Sequence, residues 1–117
     1  MKYVNMILCA LMLLFIVVQY NDPDGPLWML IYAVPTIWAA LAAFRLNSIL
    51  GDRAFVLMGL SIAAMLLLTL YYWPHTEGFW RKDIWWIKET AREGMGMMIA
   101  SLVTLVAGYT IWSARKN

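Results

Sequence analysis

The chain has 117 residues, 63% of them apolar, and a net charge of +2. It is too short for two domains. Its small net charge and lack of a basic run exclude a nucleic-acid partner, and its single cysteine excludes an internal disulfide. The nine Lys and Arg and seven Asp and Glu residues cluster, leaving four uncharged, mostly apolar stretches. These are residues 3–21, 25–44, 54–76 and 94–114, of 19, 20, 23 and 21 residues. Crossing a hydrocarbon core of about 30 Å takes about 20 helical residues. The expected fold is therefore all-α, a four-helix transmembrane bundle forming one integral membrane domain over residues 1–117. Its spans are expected at about 3–20, 27–46, 54–73 and 94–113. A soluble bundle would carry a charged stripe along each helix, and a membrane barrel would alternate polar and apolar residues. The four stretches do neither.

Taken in chain order, the first apolar run follows Lys2 and has the look of a signal peptide. Residues 19–23 lack the small side chains of a cleavage site, so the run is read as a retained span. Cys9 inside it is read as a small apolar packing residue. Residues 21–26 hold two prolines and a glycine, which close a tight hairpin. Pro35 lies inside the second span and is expected to kink it. Residues 47–53 form a short polar loop, and the third span should stop at Trp73-Pro74. A further loop, residues 75–82, precedes the last helix, which is expected to begin near residue 83. Trp28, Tyr71, Tyr72, Trp73, Trp80, Trp85 and Trp86 gather at one boundary and are read as an interfacial aromatic belt.

Four spans put both termini and the middle loop on one side. That side holds Lys2, Arg45, Arg53, Arg115 and Lys116 against Asp52. The other holds Arg81, Lys82, Lys88 and Arg92 against Asp22, Asp24, Glu77, Asp83, Glu89 and Glu93. The positive-inside rule then places both termini on the cytoplasmic side, in a bacterial inner membrane or an equivalent one.

Helical spacing sorts the faces. In the last span Glu89, Arg92, Glu93, Gly96, Ala100, Thr104 and Ala107 share one stripe. Ile87, Ala91, Met95, Met98, Leu102, Leu105 and Tyr109 lie opposite. Gly96, Ala100, Thr104 and Gly108 keep a four-residue spacing that permits close helix packing in lipid. The small face is expected to meet the bundle and the bulky face to meet lipid. Inward stripes are also expected at Asn5, Cys9, Met12, Ile16 and Gln19, and at Tyr32, Thr36, Ala39 and Ala43.

Asp22, Asp24, Glu89, Arg92 and Glu93 are expected to form a structural polar cluster at the outer mouth. Asp24 can cap the second span. Asp22 ends the first span, where the helix dipole disfavours an anion, so it should seek Arg92. Glu89 and Glu93 lie one turn apart. With Asp22 and the lone histidine, His75, they are the candidate ligands for a metal. The spacing matches no metal motif, so neither a metal nor a cofactor is expected, and no catalytic set is visible.

The segment Gln19-Tyr20-Asn21-Asp22-Pro23-Asp24, followed by Trp28 and Ile31-Tyr32, resembles the first hairpin of the transmembrane protein 220-like family. Residues 89–96 resemble that family's Glu-x-x-Arg-Glu-x-x-Gly stretch before its last span, with slightly different glycine spacing. The resemblance implies a small multi-span membrane protein and brings no established activity.

Two functional readings follow. The first is a non-enzymatic accessory or assembly subunit of a larger membrane complex, partnered by the bilayer and by other membrane subunits. The alternative is a small-molecule, lipid or metal-binding site, or a catalytic one, at the outer mouth, built from Asp22, His75, Glu89, Arg92 and Glu93. Transport would need charged or unwound helix at mid-membrane, which the uncharged spans disfavour.

Overall fold

The computed structural model of the chain describes residues 1–74, 77, 78, 80, 81, 83 and 89–116. Among the described residues there are four α-helices: α1 (Lys2–Val18), α2 (Gly25–Phe44), α3 (Asp52–Tyr71) and α4 (Glu89–Lys116). No strand occurs among the described residues. The long dimension is 46 Å, close to the roughly 40–45 Å of a bilayer with its headgroups. Three helices, α2, α3 and α4, are long and apolar enough to cross a membrane. The 17-residue α1 is apolar but spans only about 26 Å at 1.5 Å per residue.

The helix limits follow local chemistry. The first hairpin closes where the Asp22 N–H meets the Gln19 carbonyl at 3.1 Å and the Gly25 N–H meets the Asp22 carbonyl at 3.0 Å. Pro26 then occupies the first turn of α2, where its missing N–H costs nothing. This starts α2 two residues earlier than expected. Pro35 lies within α2 without ending it. Next to it, the Thr36 hydroxyl donates to the Tyr32 carbonyl at 2.7 Å. The loop expected at 47–53 is in part a 3-10 turn, Leu46–Ile49. Ile49 is buried there against Trp38, Ala42, Met58 and Ile111. The start of the last helix expected near residue 83 falls on residues outside those described, as do His75, Trp85 and Trp86.

The helix α4 packs against all three others, and α1 packs chiefly on α2. Its buried side chains include Gly96, Met97, Ala100, Ser101, Val103, Thr104, Ala107, Gly108 and Ile111. The small stripe therefore faces the bundle, as its spacing predicts. Leu102, Leu105 and Tyr109 are exposed, as expected of the opposite face. Ala91 was expected on that lipid-facing side and is instead fully buried. Arg92, expected on the inward stripe, is exposed, and Gly94 is buried, so near the helix start the buried face lies toward Ala91 and Gly94 rather than along the single stripe. At Gly108 an added Cβ would come within 2.8 Å of Ile62 Cδ1, so a larger residue there would push the Ile62 side chain of α3 aside.

Hydrogen bonds across helices complete the packing. The Asn5 amide donates to Thr110 Oγ1 at 2.9 Å, joining α1 to α4. The Trp38 indole donates to Ser61 Oγ at 2.9 Å, joining α2 to α3. The hydroxyls of Thr69 and Ser101 lie 2.6 Å apart between α3 and α4. Ser101 also reaches the Met65 carbonyl at 3.0 Å. Interhelical hydrogen bonds in membranes contribute roughly 0.6–1.7 kcal/mol. Ser101→Ala and Thr69→Ala should each lower stability by about that amount. The double variant should lose less than the sum when unfolding is followed in mixed micelles with increasing sodium dodecyl sulfate.

Candidate functional site

The ends of α1, α2 and α4 beside the first hairpin enclose a polar pocket of about 80 Å³, lined by Gln19, Asp22, Asp24, Trp28, Tyr32, Arg92 and Glu93. The first hairpin supplies Asp22 and Asp24, because its proline-rich turn places them at the mouth. The first turns of α4 supply Arg92 and Glu93. Four of the five residues expected in the polar cluster therefore meet in one pocket. The fifth, Glu89, is the first described residue of α4, and its side chain is outside the description. His75 is also outside the described residues.

Two expectations about this corner are corrected. Asp24 occupies the N-cap position of α2 but makes no side-chain capping bond. Its carboxylate instead accepts the Trp28 Nε1–H at 3.2 Å. The competing partner wins because residues four apart on a helix face each other, and an indole N–H buried near lipid requires an acceptor. Trp28 accordingly is not part of a lipid-facing belt. It is 2% exposed, with ring centroids 4.9 Å from Tyr72 and 5.6 Å from Tyr32. Tyr71, Trp73 and Trp80 are exposed, as belt residues should be.

Tyr32 joins the pocket to the core. Phe15 meets its ring edge-on at 5.5 Å, and its hydroxyl rests on Gly96, where an added Cβ would overlap the oxygen. Both residues stand on expected inward stripes, although spacing alone does not pair them. Below the polar pocket a mainly apolar groove of about 260 Å³ runs along α1 and α4, and Gln19, Tyr32 and Arg92 line both.

The ion pairs described are Arg81 with Asp83 and Arg115 with Asp52. Asp22 and Arg92 share the pocket wall, and a direct ion pair between them is not among the described contacts. No three His, Cys, Asp or Glu side chains among the described residues are placed to hold a metal.

Packed apolar helices, three of them long enough to cross a bilayer, with charged side chains confined to their ends, define an integral membrane protein of the helical class. The description "Transmembrane family 220, helix" matches residues 11–109. The chain belongs to that family. No curated protein and no solved structure matches it.

The Gly96–Tyr32 contact gives a direct test. Gly96→Ala should destabilise the protein by about 1–3 kcal/mol, the usual range for overpacking. Adding Tyr32→Phe removes the overlapping oxygen and should recover part of that loss. Thermal unfolding in detergent, followed by circular dichroism, measures both.

Proposed function

We propose that the protein is a non-enzymatic, four-span accessory or assembly subunit of a larger membrane complex. Both termini face the cytoplasm of a bacterial cell or an equivalent compartment. The orientation is supported by the five cations at the end carrying the termini and the 3-10 turn, against the single acid Asp52. The observation that carries the subunit reading is an open apolar groove of about 350 Å³ between α3 and α4. Phe55, Gly59, Ile62, Gly108 and Trp112 are among its walls. At Gly59 an added Cβ would meet nothing within 4 Å, and Ala63, one turn on, is exposed as well. Small residues four apart on an uncovered face suit the close approach of another helix. The helix α3 buries little of itself in the bundle: 17% of its most apolar window, against 61% for α4.

The test is extraction in mild detergent beside the Gly59→Leu variant, which fills the groove without touching the protein's own core. A stoichiometric membrane partner should accompany the native chain and be lost from the variant, with unchanged thermal stability. Recovery of the native chain only as a functional monomer contradicts the reading.

The second reading assigns the outer pocket, and its supporting observation is the convergence of Asp22, Asp24, Arg92 and Glu93. In its structural form the pocket is a clamp in which Asp22 and Arg92 hold the first hairpin to α4. Asp22→Asn and Arg92→Gln should then each lower stability, with a coupling of at least about 0.5 kcal/mol in the double variant. Additive or absent effects on stability, together with loss of a bound ion or headgroup, favour a binding site instead.

A further inference from the structure

The end of the bundle opposite the polar pocket holds a larger opening. A cleft of about 710 Å³ lies between the start of α1, the end of α2 and the 3-10 turn. Lys2, Arg45, Asn47 and Ser48 stand on its rim, and Ala42, Ala43 and Phe44 form an apolar shoulder. Lys2 and Arg45 are exposed, and no Asp or Glu lines the cleft. Asp52, the acid at this end, is engaged by Arg115 at 3.0 Å. The helix α1 starts at Lys2 with no side-chain cap and no acid in its first turn. Its leading N–H groups therefore add partial positive charge.

Asn5 lies behind the cleft wall and is fully buried. Its amide nitrogen donates to the Met1 carbonyl and to Thr110 Oγ1, each at 2.9 Å. Met1 and Thr110 both line the cleft, so this hydrogen-bonded bridge fixes its wall.

We infer that this cleft binds a phosphate-bearing anion, and that its occupant in the membrane is the headgroup of an anionic phospholipid. Ammonium and guanidinium groups recognise phosphate by charge-assisted hydrogen bonds. The volume falls in the range of small-molecule sites, about 300–1,000 Å³. The cleft sits at the helix ends where the charges begin, and its apolar shoulder suits the glycerol end of the acyl chains. The site uses none of the residues of the outer pocket or of the groove on α3, so it stands or falls independently of the functional reading above.

The experiment is isothermal titration of the purified full chain in detergent with dioctanoyl-phosphatidylglycerol, dioctanoyl-phosphatidylcholine and inorganic phosphate. Phosphatidylglycerol should bind, and phosphatidylcholine should bind at least about tenfold more weakly. Each of Lys2→Gln and Arg45→Gln should weaken binding about fivefold, and the double variant about 30-fold, as expected of cations beside lipid headgroups. Arg53→Gln removes the same charge at the same end but outside the cleft, and should leave binding unchanged. Inorganic phosphate matching phosphatidylglycerol would keep the anion site but overturn the lipid occupant. Equal binding of both lipids, or an equal loss in Arg53→Gln and Arg45→Gln, would overturn the site altogether. Unchanged circular dichroism of the variants excludes misfolding as the cause of a loss.

Discussion

In a bilayer, apolar side chains gain nothing by leaving lipid for one another, so helices associate through close packing and hydrogen bonds. The small face of α4 meets that constraint here. Gly96, Ala100, Ser101, Thr104, Ala107 and Gly108 are buried along it, and they bring α1, α2 and α3 onto one helix. Larger side chains would hold the backbones apart. The Thr69–Ser101 and Asn5–Thr110 bonds, at 2.6 and 2.9 Å, would then lose their geometry. Both end sites depend on the same closeness. Tyr32, which lines the pocket beside the first hairpin, rests its hydroxyl on Gly96. The wall of the cleft at the opposite end is fixed by the Asn5 bridge to α4.

The two ends have opposite chemistry. At one end a short hairpin brings two aspartates against the start of α4, and Trp28 and Tyr32 wall off the space beneath them. At the opposite end, Lys2 and Arg45 stand on the rim of an opening, and Asp52 at that end is paired with Arg115. Between the ends the helices carry no charge, so polar chemistry that could recognise an ion, a headgroup or a partner is confined to the two boundaries. The long side of the molecule offers a different kind of surface, the apolar groove beside Gly59.

The helices and most of their buried faces were legible in the sequence, because in lipid both are written in simple periodicities. Absent charge over about 20 residues marks each span, and Asn5, Cys9 and Met12, or Tyr32, Thr36 and Ala39, fall on single stripes that the structure buries. The convergence of Asp22, Asp24, Arg92 and Glu93 could be anticipated from the shared side of their loops. Other features were not legible, because they depend on which of two local partners prevails. Asp24 has the spacing of a cap and also sits four residues before an indole. Trp28 has the position of a belt residue and the burial of a core one. Ala91 lies opposite the small stripe and is buried while Arg92 on the stripe is exposed, because the packing near the start of α4 does not follow the stripe of the helix middle. The cleft beside Lys2 and Arg45 is walled in part by residues 46–48, in the 3-10 turn where a polar loop was expected and where Ile49 is buried.

Single-cysteine spin labels placed from residue 94 to residue 113 in a Cys9→Ala background, reconstituted in lipid bilayers, test the central role of α4 most directly. Their collision with dissolved oxygen should rise and fall with helical period. High values are expected at Leu102, Leu105 and Tyr109, and low values at Ala100, Val103, Thr104 and Ala107. Equal accessibility around the helix, or maxima on the small face, would contradict the account.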